Sequence, residues 1–225
     1  MFSSLKGWYG EKKTAFWLSL LLSAKHYQIY NNLIIPSANG TAQIDHLIIS
    51  KHGIFIVETK NKKGWVFGSP ESKSWTQVIY RRKFSFQNPL FQTYRQKNVL
   101  ASFLGVSNSS IHTIVKFTGN STFKTNMPRN VVRYGLARYI LSFEDTILSE
   151  TSVKSIVDKL NHHCQNSRLN KRDHLRSLEE RHNSRKKCPK CGGKLFIRTA
   201  RKGPSVNSKF YGCSNYPNCR FTKDL

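Results

Sequence analysis

Residues 40–60 constrain the fold of this chain more than any other stretch. They contain two apolar runs, residues 47–49 and 54–57, with a short polar break and a glycine between them. Two short apolar runs around such a break are typical of a β-hairpin. Both runs are apolar at consecutive positions, as expected for strands that are buried on both faces. We therefore expect a hairpin inside the central sheet.

The register of this hairpin brings two carboxylates together. If Lys51 and His52 form the turn, Asp45 falls opposite Glu58, and the two-residue period of strands places Lys60 on the same face. Opposed like charges destabilise a strand pair, so a compensating cation is expected. Oxygen ligands on neighbouring strands suit Mg²⁺ or Mn²⁺. The alternative is an exposed hairpin whose charges face water, but the apolar runs favour a metal site.

Asp45 followed by Glu58-Thr59-Lys60 resembles the Asp…Glu-x-Lys signature of the PD-(D/E)xK nuclease superfamily. Residues 42–61 as a whole resemble the nuclease-related domain (NERD) family more closely, and the resemblance covers roughly residues 7–145. It implies a restriction-endonuclease-like fold and metal-dependent cleavage of phosphodiester bonds. Asp45 and Glu58 would hold the Mg²⁺ or Mn²⁺ ion, and the Thr59 carbonyl would add a ligand. Lys60 would position the attacking water.

Two helices flank this hairpin in the sequence. Residues 8–22 fit a helix with Glu11 on its apolar face, either as a first-turn acid favoured by the helix dipole or as a partner of the metal site. The predicted apolar face consists of Trp8, Ala15, Leu18 and Leu22. Gly10-Glu11 matches the opening motif of the NERD family, which implies that the helix acid joins the site.

The second helix is predicted to start at Asn88-Pro89 and to run to about Leu104, because Asn is a favoured N-cap and Pro a favoured first residue. Its Gln92 would be an ordinary polar surface residue on the sequence pattern alone. The resemblance, through the family's Asn-Pro-x-x-Gln stretch, implies that Gln92 lies near the catalytic face.

The remaining pattern predicts an α/β fold with a mixed central sheet between helices. An antiparallel extension with Arg81-Arg82-Lys83 in a turn is expected after the hairpin, and a helix at residues 149–162 closes the domain. The other predicted strands are residues 27–35, 65–68, 74–80, 111–117, 130–134 and 139–141.

Four cysteines near the C-terminus predict a zinc site. Two pairs of thiolates, with 21 residues between them, can close a tetrahedral, structural Zn²⁺ site, and a segment of about 40 residues needs such a metal to fold. The ligands would be Cys188, Cys191, Cys213 and Cys219, whereas Cys164 would be a bystander. Disulfides are the alternative, but the N-terminus lacks the pattern of a secretory signal. The predicted domains are a nuclease-related domain at 1–163, a basic, helical or loosely ordered linker at 164–186 and a zinc ribbon at 187–225.

The ribbon resembles the C-terminal zinc ribbon of bacterial DNA topoisomerases, which implies binding to single-stranded DNA. Aromatic rings can stack on bases while cations hold phosphates, and some of the aromatic residues must instead form the small core. The candidate contacts are Lys194, Arg198, Phe210, Tyr211, Tyr216 and Arg220.

The charge of the chain indicates a polyanionic partner. Lys and Arg number 37 against 12 acids, for a net charge of +25, and residues 164–225 carry nearly half of the excess. Nucleic acid is the expected partner, and an anionic membrane surface is the competing one. No apolar run could span a bilayer, so a cytoplasmic protein without membrane contact is expected.

The sequence thus predicts a Mg²⁺- or Mn²⁺-dependent nuclease that acts on DNA, including single-stranded or branched forms. Two alternatives stay open at this point. One is a non-catalytic protein that uses the nuclease fold as a nucleic-acid clamp, and the other is a nuclease that acts on RNA.

Overall fold

The computed structural model describes residues 2–189, 193–201, 206–217 and 219–225. They form two compact units, one of residues up to 33 and 43–167, the other of 34–42 and 168–225. The helices in the described residues are α1 Phe2–Leu21, α2 Pro89–Leu104, α3 Leu136–Leu141, α4 Glu150–Asn166 and α5 Lys171–Asn183. The strands are β1 Gln28–Ser37, β2 Gly40–Ser50, β3 Gly53–Asn61, β4 Gly64–Phe67, β5 Ser74–Ile79, β6 Arg82–Gln87, β7 Ile111–Thr118, β8 Ser121–Phe123, β9 Val131–Val132, β10 Leu195–Thr199, β11 Lys209–Cys213 and β12 Thr222–Asp224.

The central sheet has the order β1-β2-β3-β7-β9 and is mixed, as predicted. Strands β2 and β3 form the expected antiparallel hairpin, with His46 opposite Val57 and Ser50 opposite Gly53, so the predicted register is confirmed. Strand β7 runs parallel to β3, and β9 runs parallel to β7. The two hairpin strands are almost wholly buried, which explains why their sequence is apolar on both faces.

Helices cover both faces of this sheet. Leu18 near the end of α1 and Leu22 just after it pack with Phe55, Val57 and residues of α3. Gln96 of α2 contacts Glu58, which follows Val57 in β3 and therefore points to the opposite face. The predicted α/β fold with helices on a mixed sheet is thus confirmed.

The buried side of α1 differs from the predicted one. Trp8 is 53% exposed, whereas Gly10, Thr14, Leu18 and Leu22 form the buried stripe. Gly10 lies against the ends of β3 and β7, where a Cβ atom would come within 2.6 Å of the Thr118 hydroxyl oxygen. A glycine allows this close approach, so the helix face that contains Gly10 meets the sheet. Trp8 lies on another face of α1 and stays exposed.

A second sheet, with the order β6-β5-β4-β8, supplies the predicted antiparallel extension. Its turn consists of Tyr80 and Arg81, and Arg82 and Lys83 lie in β6 rather than in the turn. Residues 139–141, predicted as a strand, belong to α3. Ile140 is fully buried in the core against α1, and this packing outweighs the β propensity of the segment.

Helix α2 begins as predicted. The Asn88 side chain accepts a hydrogen bond from the Leu90 backbone N–H and donates to the carbonyls of Ser69, Pro70 and Ser72. One buried amide therefore caps the helix and ties its start to the loop before β5. This fixes the direction in which the first two turns of α2 project their side chains. The closing helix α4 also forms, with Ser149 as N-cap.

The second unit combines the β1–β2 turn with the C-terminal part of the chain. The Thr41 hydroxyl lies 2.9 Å from His174 Nδ1, and its carbonyl accepts a hydrogen bond from Arg181, both on α5. A capping box of Asn170 and Asp173 starts this helix, within the segment predicted as a basic linker. Strands β10, β11 and β12 form an antiparallel sheet. None of the helices in the described part of the chain is long and apolar enough to cross a membrane.

Candidate active site and zinc centre

Asp45 occupies the point where the β2–β3 backbone ladder stops. The ladder ends at His46 and Val57, so the predicted backbone pair of Asp45 and Glu58 does not form. Instead, the Asp45 carboxylate accepts the Thr59 backbone N–H at 2.9 Å. Beyond the last backbone pair of the ladder, the Asp45 side chain thus provides the next hydrogen bond between β2 and β3, and this bond holds it beside β3.

The electrostatics of Asp45 are unfavourable in the free protein. Burial raises the pKa of this carboxyl well above its usual range, and the charges of Glu58 and Glu11 raise it further. The Thr59 hydrogen bond and the Lys60 charge lower the pKa but do not compensate. A buried carboxylate in such surroundings favours either a proton or a bound cation.

Glu58 is 3% exposed, and both of its carboxylate oxygens have partners. Oε1 accepts from Lys60 Nζ at 2.6 Å, and Oε2 accepts from Gln96 Nε2 at 2.8 Å. Lys60 Nζ also donates to Gln92 Oε1 at 2.9 Å. The structure therefore joins Glu58, Lys60 and Gln92 in one hydrogen-bond network, and Asp45 interacts with Glu58 and Lys60 of this network through its charge.

Gln96 belongs to this network although the sequence reasoning missed it. It is buried, and its Nε2 also donates to the Gln43 carbonyl at 2.9 Å, which links α2 to β2. The available signal was its spacing from Gln92, because residues four apart lie on the same face of a helix. Two glutamines four residues apart are also common on exposed helix faces, so their spacing alone did not predict that Gln96 is buried beside Glu58.

Glu11 and Thr59 lie at the edge of the network. Glu11 is partly exposed on α1, beside the closely packed Gly10, and it affects Asp45 through charge. Among the described residues, three metal-ligating side chains come within 4.8 Å of one another only in a cysteine cluster, so Glu11 does not complete a cluster of three carboxylates. The Thr59 hydroxyl is buried without a hydrogen-bond partner among the described residues.

The donor set at this site fits a divalent cation. Asp45 and Glu58 offer hard carboxylate oxygens just beyond the last backbone pair of the buried hairpin, and their mutual repulsion raises the pKa of Asp45. A divalent cation would relieve this repulsion, and Mg²⁺ and Mn²⁺ prefer such ligands. Among the described residues, the Lys60 ammonium is the cation that forms an ion pair with Glu58.

The zinc centre lies in the second unit. The sulfur atoms of Cys188, Cys213 and Cys219 lie within 4.8 Å of one another, and those of Cys188 and Cys219 are 3.7 Å apart. All three cysteines are buried, and the Asn215 backbone N–H donates to the Cys213 sulfur. Cys191, the fourth predicted ligand, lies outside the described residues. Three converging cysteine sulfurs in a small sheet are typical of a structural zinc ribbon.

Cys164 is not part of this cluster, as predicted. It is an exposed residue of α4 in the first unit.

The aromatic residues of the ribbon divide between its core and its surface. Tyr211 and Phe221 are partly buried against the cysteine cluster. Tyr211, which the sequence predicts as a DNA contact, therefore contributes to the core of the ribbon. Phe210 is half-buried, and Tyr216 is exposed, with the Arg198 guanidinium 5.8 Å from the centre of its ring. The exposed cations on this unit include Lys194, Arg198 and Arg220.

Comparison with known families fits both sites. The family model of the nuclease-related domain matches residues 6–118, which is half of the chain and contains the whole carboxylate network. This chain belongs to the nuclease-related domain family. The family model described as the topoisomerase DNA-binding C4 zinc finger matches residues 185–225. The NERD chain therefore contains a match to each of the two families that its motifs resemble.

Curated relatives each match part of this chain. An uncharacterized protein of Bacillus anthracis is 44% identical over 90 residues, which are 40% of this chain and 42% of that protein. DNA topoisomerase 1 of Archaeoglobus fulgidus is 51% identical over 39 residues, 17% of this chain and 5% of the enzyme. DNA topoisomerase 1 of Methanocaldococcus jannaschii is 56% identical over 38 residues, 17% of this chain and 4% of the enzyme. The NERD chain thus spans less than half of the length of each, and no solved structure matches it significantly.

Proposed function

We propose that this NERD protein is a Mg²⁺- or Mn²⁺-dependent nuclease that hydrolyses phosphodiester bonds in DNA. The observation that carries the proposal is the pair of buried carboxylates, Asp45 and Glu58, with the Lys60 ammonium 2.6 Å from Glu58. Burying this much charge is costly in a domain that only needs to fold. A site that binds a cation and a phosphate would account for all three charges, because the carboxylates bind the cation and the ammonium binds the phosphate.

Each residue of the network has a distinct task in this proposal. Asp45 and Glu58 hold the cation, while the Thr59 N–H and the Gln96 amide fix their orientation. The bound ion supplies Lewis acidity and a lowered pKa for water. Lys60, oriented by Gln92, offsets negative charge on the phosphate and positions the attacking water.

Two further residues assist at the edge of the site. Glu11 orients the ligands around the cation through its charge, which already acts on Asp45. The Thr59 carbonyl adds an oxygen ligand, as the family resemblance implies.

The zinc ribbon supplies a second grip on DNA, in particular on single-stranded or branched forms. Exposed Tyr216 beside Arg198 offers a stacking face next to a cation, a combination that suits unpaired bases. Lys194, Arg220 and the partly buried Phe210 extend this surface. Zinc-binding thiolates need reducing surroundings, so the proposal places the protein in the cytoplasm.

A cleavage assay tests the proposed activity. Wild type, Asp45→Asn and Glu58→Gln would be incubated with linear, nicked, branched and single-stranded DNA, and with RNA, with and without Mg²⁺ or Mn²⁺. We expect metal-dependent cutting by wild type alone, with DNA binding retained by both variants, because phosphate binding depends on many cations and the chemistry on few acids. A wild-type protein that binds DNA, cuts no substrate and melts at the same temperature with and without these ions would instead be a non-catalytic clamp.

Deletion of residues 186–225 tests the ribbon. This truncation removes the cysteine cluster but keeps α5 with its contacts to Thr41. We expect weaker DNA binding with a smaller salt dependence, and residual cutting at high enzyme concentration. Unchanged affinity would contradict a role of the ribbon in holding DNA.

A further inference from the structure

A cleft of about 700 Å³ lies between α1, the end of β7 and the segment from β9 to α3, all within the first unit. Four cationic side chains line it, namely Lys13, Lys116, Arg133 and Arg138, and so do the aromatic rings of Trp17 and Tyr134. No Asp or Glu is found among the described residues that line the cleft. Its volume suits a nucleotide-sized ligand.

Among the described residues, no acidic side chain in the walls of this cleft pairs with its cations. Lys116 is partly buried and donates to the Arg133 carbonyl. Burial and the charges of Lys13 and Arg133 lower the pKa of Lys116, so these like charges are close enough to repel one another. Such a cluster is unfavourable without an anion, and a phosphate group would relieve the repulsion.

The aromatic rings give the cleft a second recognition chemistry. Tyr134 is 78% exposed, and its ring centre lies 5.2 Å from the Arg133 guanidinium and 6.0 Å from Lys116 Nζ. Trp17, which lines the cleft from α1, is 47% exposed. Exposed ring faces beside cations are the combination that binds unpaired bases and their phosphates.

The cleft adjoins the proposed active site along the sheet. Lys116 is paired with Thr59, and Phe117 with Lys60, in the parallel β3–β7 ladder. Residues 116–120, which form one wall, therefore continue from the strand positions next to the carboxylate network. Lys116 shares a face of the sheet with Thr59, whereas Glu58 and Lys60 point to the opposite face, so a DNA strand that leaves the carboxylates would pass around the end of β3 and β7 to reach the cations.

We propose that this cleft binds an unpaired segment of the DNA substrate, with phosphates on its four cations and bases against Trp17 and Tyr134. The inference rests on the proposed function, because it takes DNA as the substrate. It names the part of the substrate that is recognised: a single strand next to the scissile bond. The concave shape of the cleft suits a strand better than it suits a flat anionic membrane surface. Its position at the end of β7, the strand paired with β3, also favours a nucleic acid strand.

The test measures binding by fluorescence anisotropy in EDTA, so that it does not depend on cleavage. Probes are an oligothymidylate, a blunt duplex, and vesicles of phosphatidylserine and phosphatidylcholine. The double variant Lys13→Gln/Arg138→Gln removes two cleft cations, and Lys12→Gln/Lys25→Gln removes two exposed cations outside it. Trp17→Ala is matched by Phe16→Ala, its exposed neighbour on α1 that does not line the cleft.

We expect the cleft double variant to lower the salt slope for oligothymidylate by about 1.4, since each lost contact to a single strand contributes about 0.7. Trp17→Ala should weaken oligothymidylate binding by about 5- to 150-fold, the loss of one stacked base, with little change for the blunt duplex. The matched controls should bind as wild type does. Melting temperatures near that of wild type show that each variant folds.

Two outcomes would overturn the inference. One is equal oligothymidylate binding by the cleft variants and their controls. The other is loss of vesicle binding in both Trp17→Ala and Phe16→Ala with no effect on DNA, which would assign this face to a membrane. Failure of the proposed nuclease activity has a separate signature, since wild type would then bind the oligonucleotide through the cleft but cut nothing.

Discussion

Replacing Lys60 by Met should destabilise the protein in the absence of divalent metal. Methionine has nearly the same volume but no charge, so Glu58, which is 3% exposed, would lose its counter-charge at 2.6 Å. Removing one partner of a fully buried ion pair costs about 3–5 kcal/mol. The Lys60 side chain is 22% exposed, and Gln96 still donates to Glu58, so we expect about 2–3 kcal/mol. For a chain of this size, that corresponds to roughly 4–12 °C in melting temperature.

The assay is thermal denaturation in EDTA and then with Mg²⁺ or Mn²⁺. Lys63→Met is the matched control, because Lys63 is exposed and close in sequence. Adding the ion should stabilise Lys60→Met more than wild type, since the cation then replaces the missing ammonium beside Glu58. Lys60→Met should therefore still take up metal while losing turnover.

The double variant Lys60→Met/Glu58→Gln separates charge from packing. A neutral glutamine needs no counter-charge, so the double variant should recover much of the stability that Lys60→Met loses. If Lys60→Met melted at the temperature of Lys63→Met in EDTA, the two charges would not be coupled and the reasoning about this site would be wrong.

Three further predictions concern zinc, packing and pH. Cys213→Ser should lower the zinc content from about one ion per chain, as measured by metal analysis, and an undiminished content would contradict the zinc centre. Gly10→Ala should lower the free energy of unfolding by about 1–3 kcal/mol in urea titrations, because its Cβ would lie 2.6 Å from the Thr118 hydroxyl; no change would refute the close approach of α1. Burial lowers the pKa of His46 to about 4. Between pH 6.5 and pH 4, His46 is therefore protonated in the unfolded chain but neutral in the folded chain. The contribution of His46 to stability should then fall by up to ~3 kcal/mol as the pH drops from 6.5 to 4, whereas protonation of Asp45, whose pKa is raised, acts in the opposite direction. His46→Gln should therefore be less sensitive to acid than wild type, and identical pH profiles of the two proteins would refute this role of His46.

The hairpin was predictable because two signals agreed on it. The apolar runs fixed which residues are buried, and a two-residue turn left one register that keeps them paired, from Ser50 and Gly53 to His46 and Val57. The juxtaposition of Asp45 and Glu58 followed from that register. The hydrogen bond from the Thr59 N–H did not, because the point at which a ladder stops depends on side-chain packing.

The helices show where sequence reasoning failed. Helical periodicity identified α1, but it could not tell which of two neighbouring stripes meets the sheet, and a tight contact at Gly10 decided against Trp8. Gln92 was found only through the family resemblance, and Gln96 was missed. For a polar residue on a helix, burial is set by the opposite partner, here Glu58, which lies 38 residues away in the sequence.

The contact between Thr41 and α5 has a consequence for protein synthesis. Thr41 leaves the ribosome 133 residues before its partner His174, and at 5–20 residues per second this delay is roughly 7–27 s. During that interval the β1–β2 turn lacks the helix that covers it. The second unit can therefore assemble only after residues 168–183, which include α5, have been made. A chain released early, before α5 is made, would keep the nuclease-related residues but leave Thr41 without the hydrogen bonds that hold it.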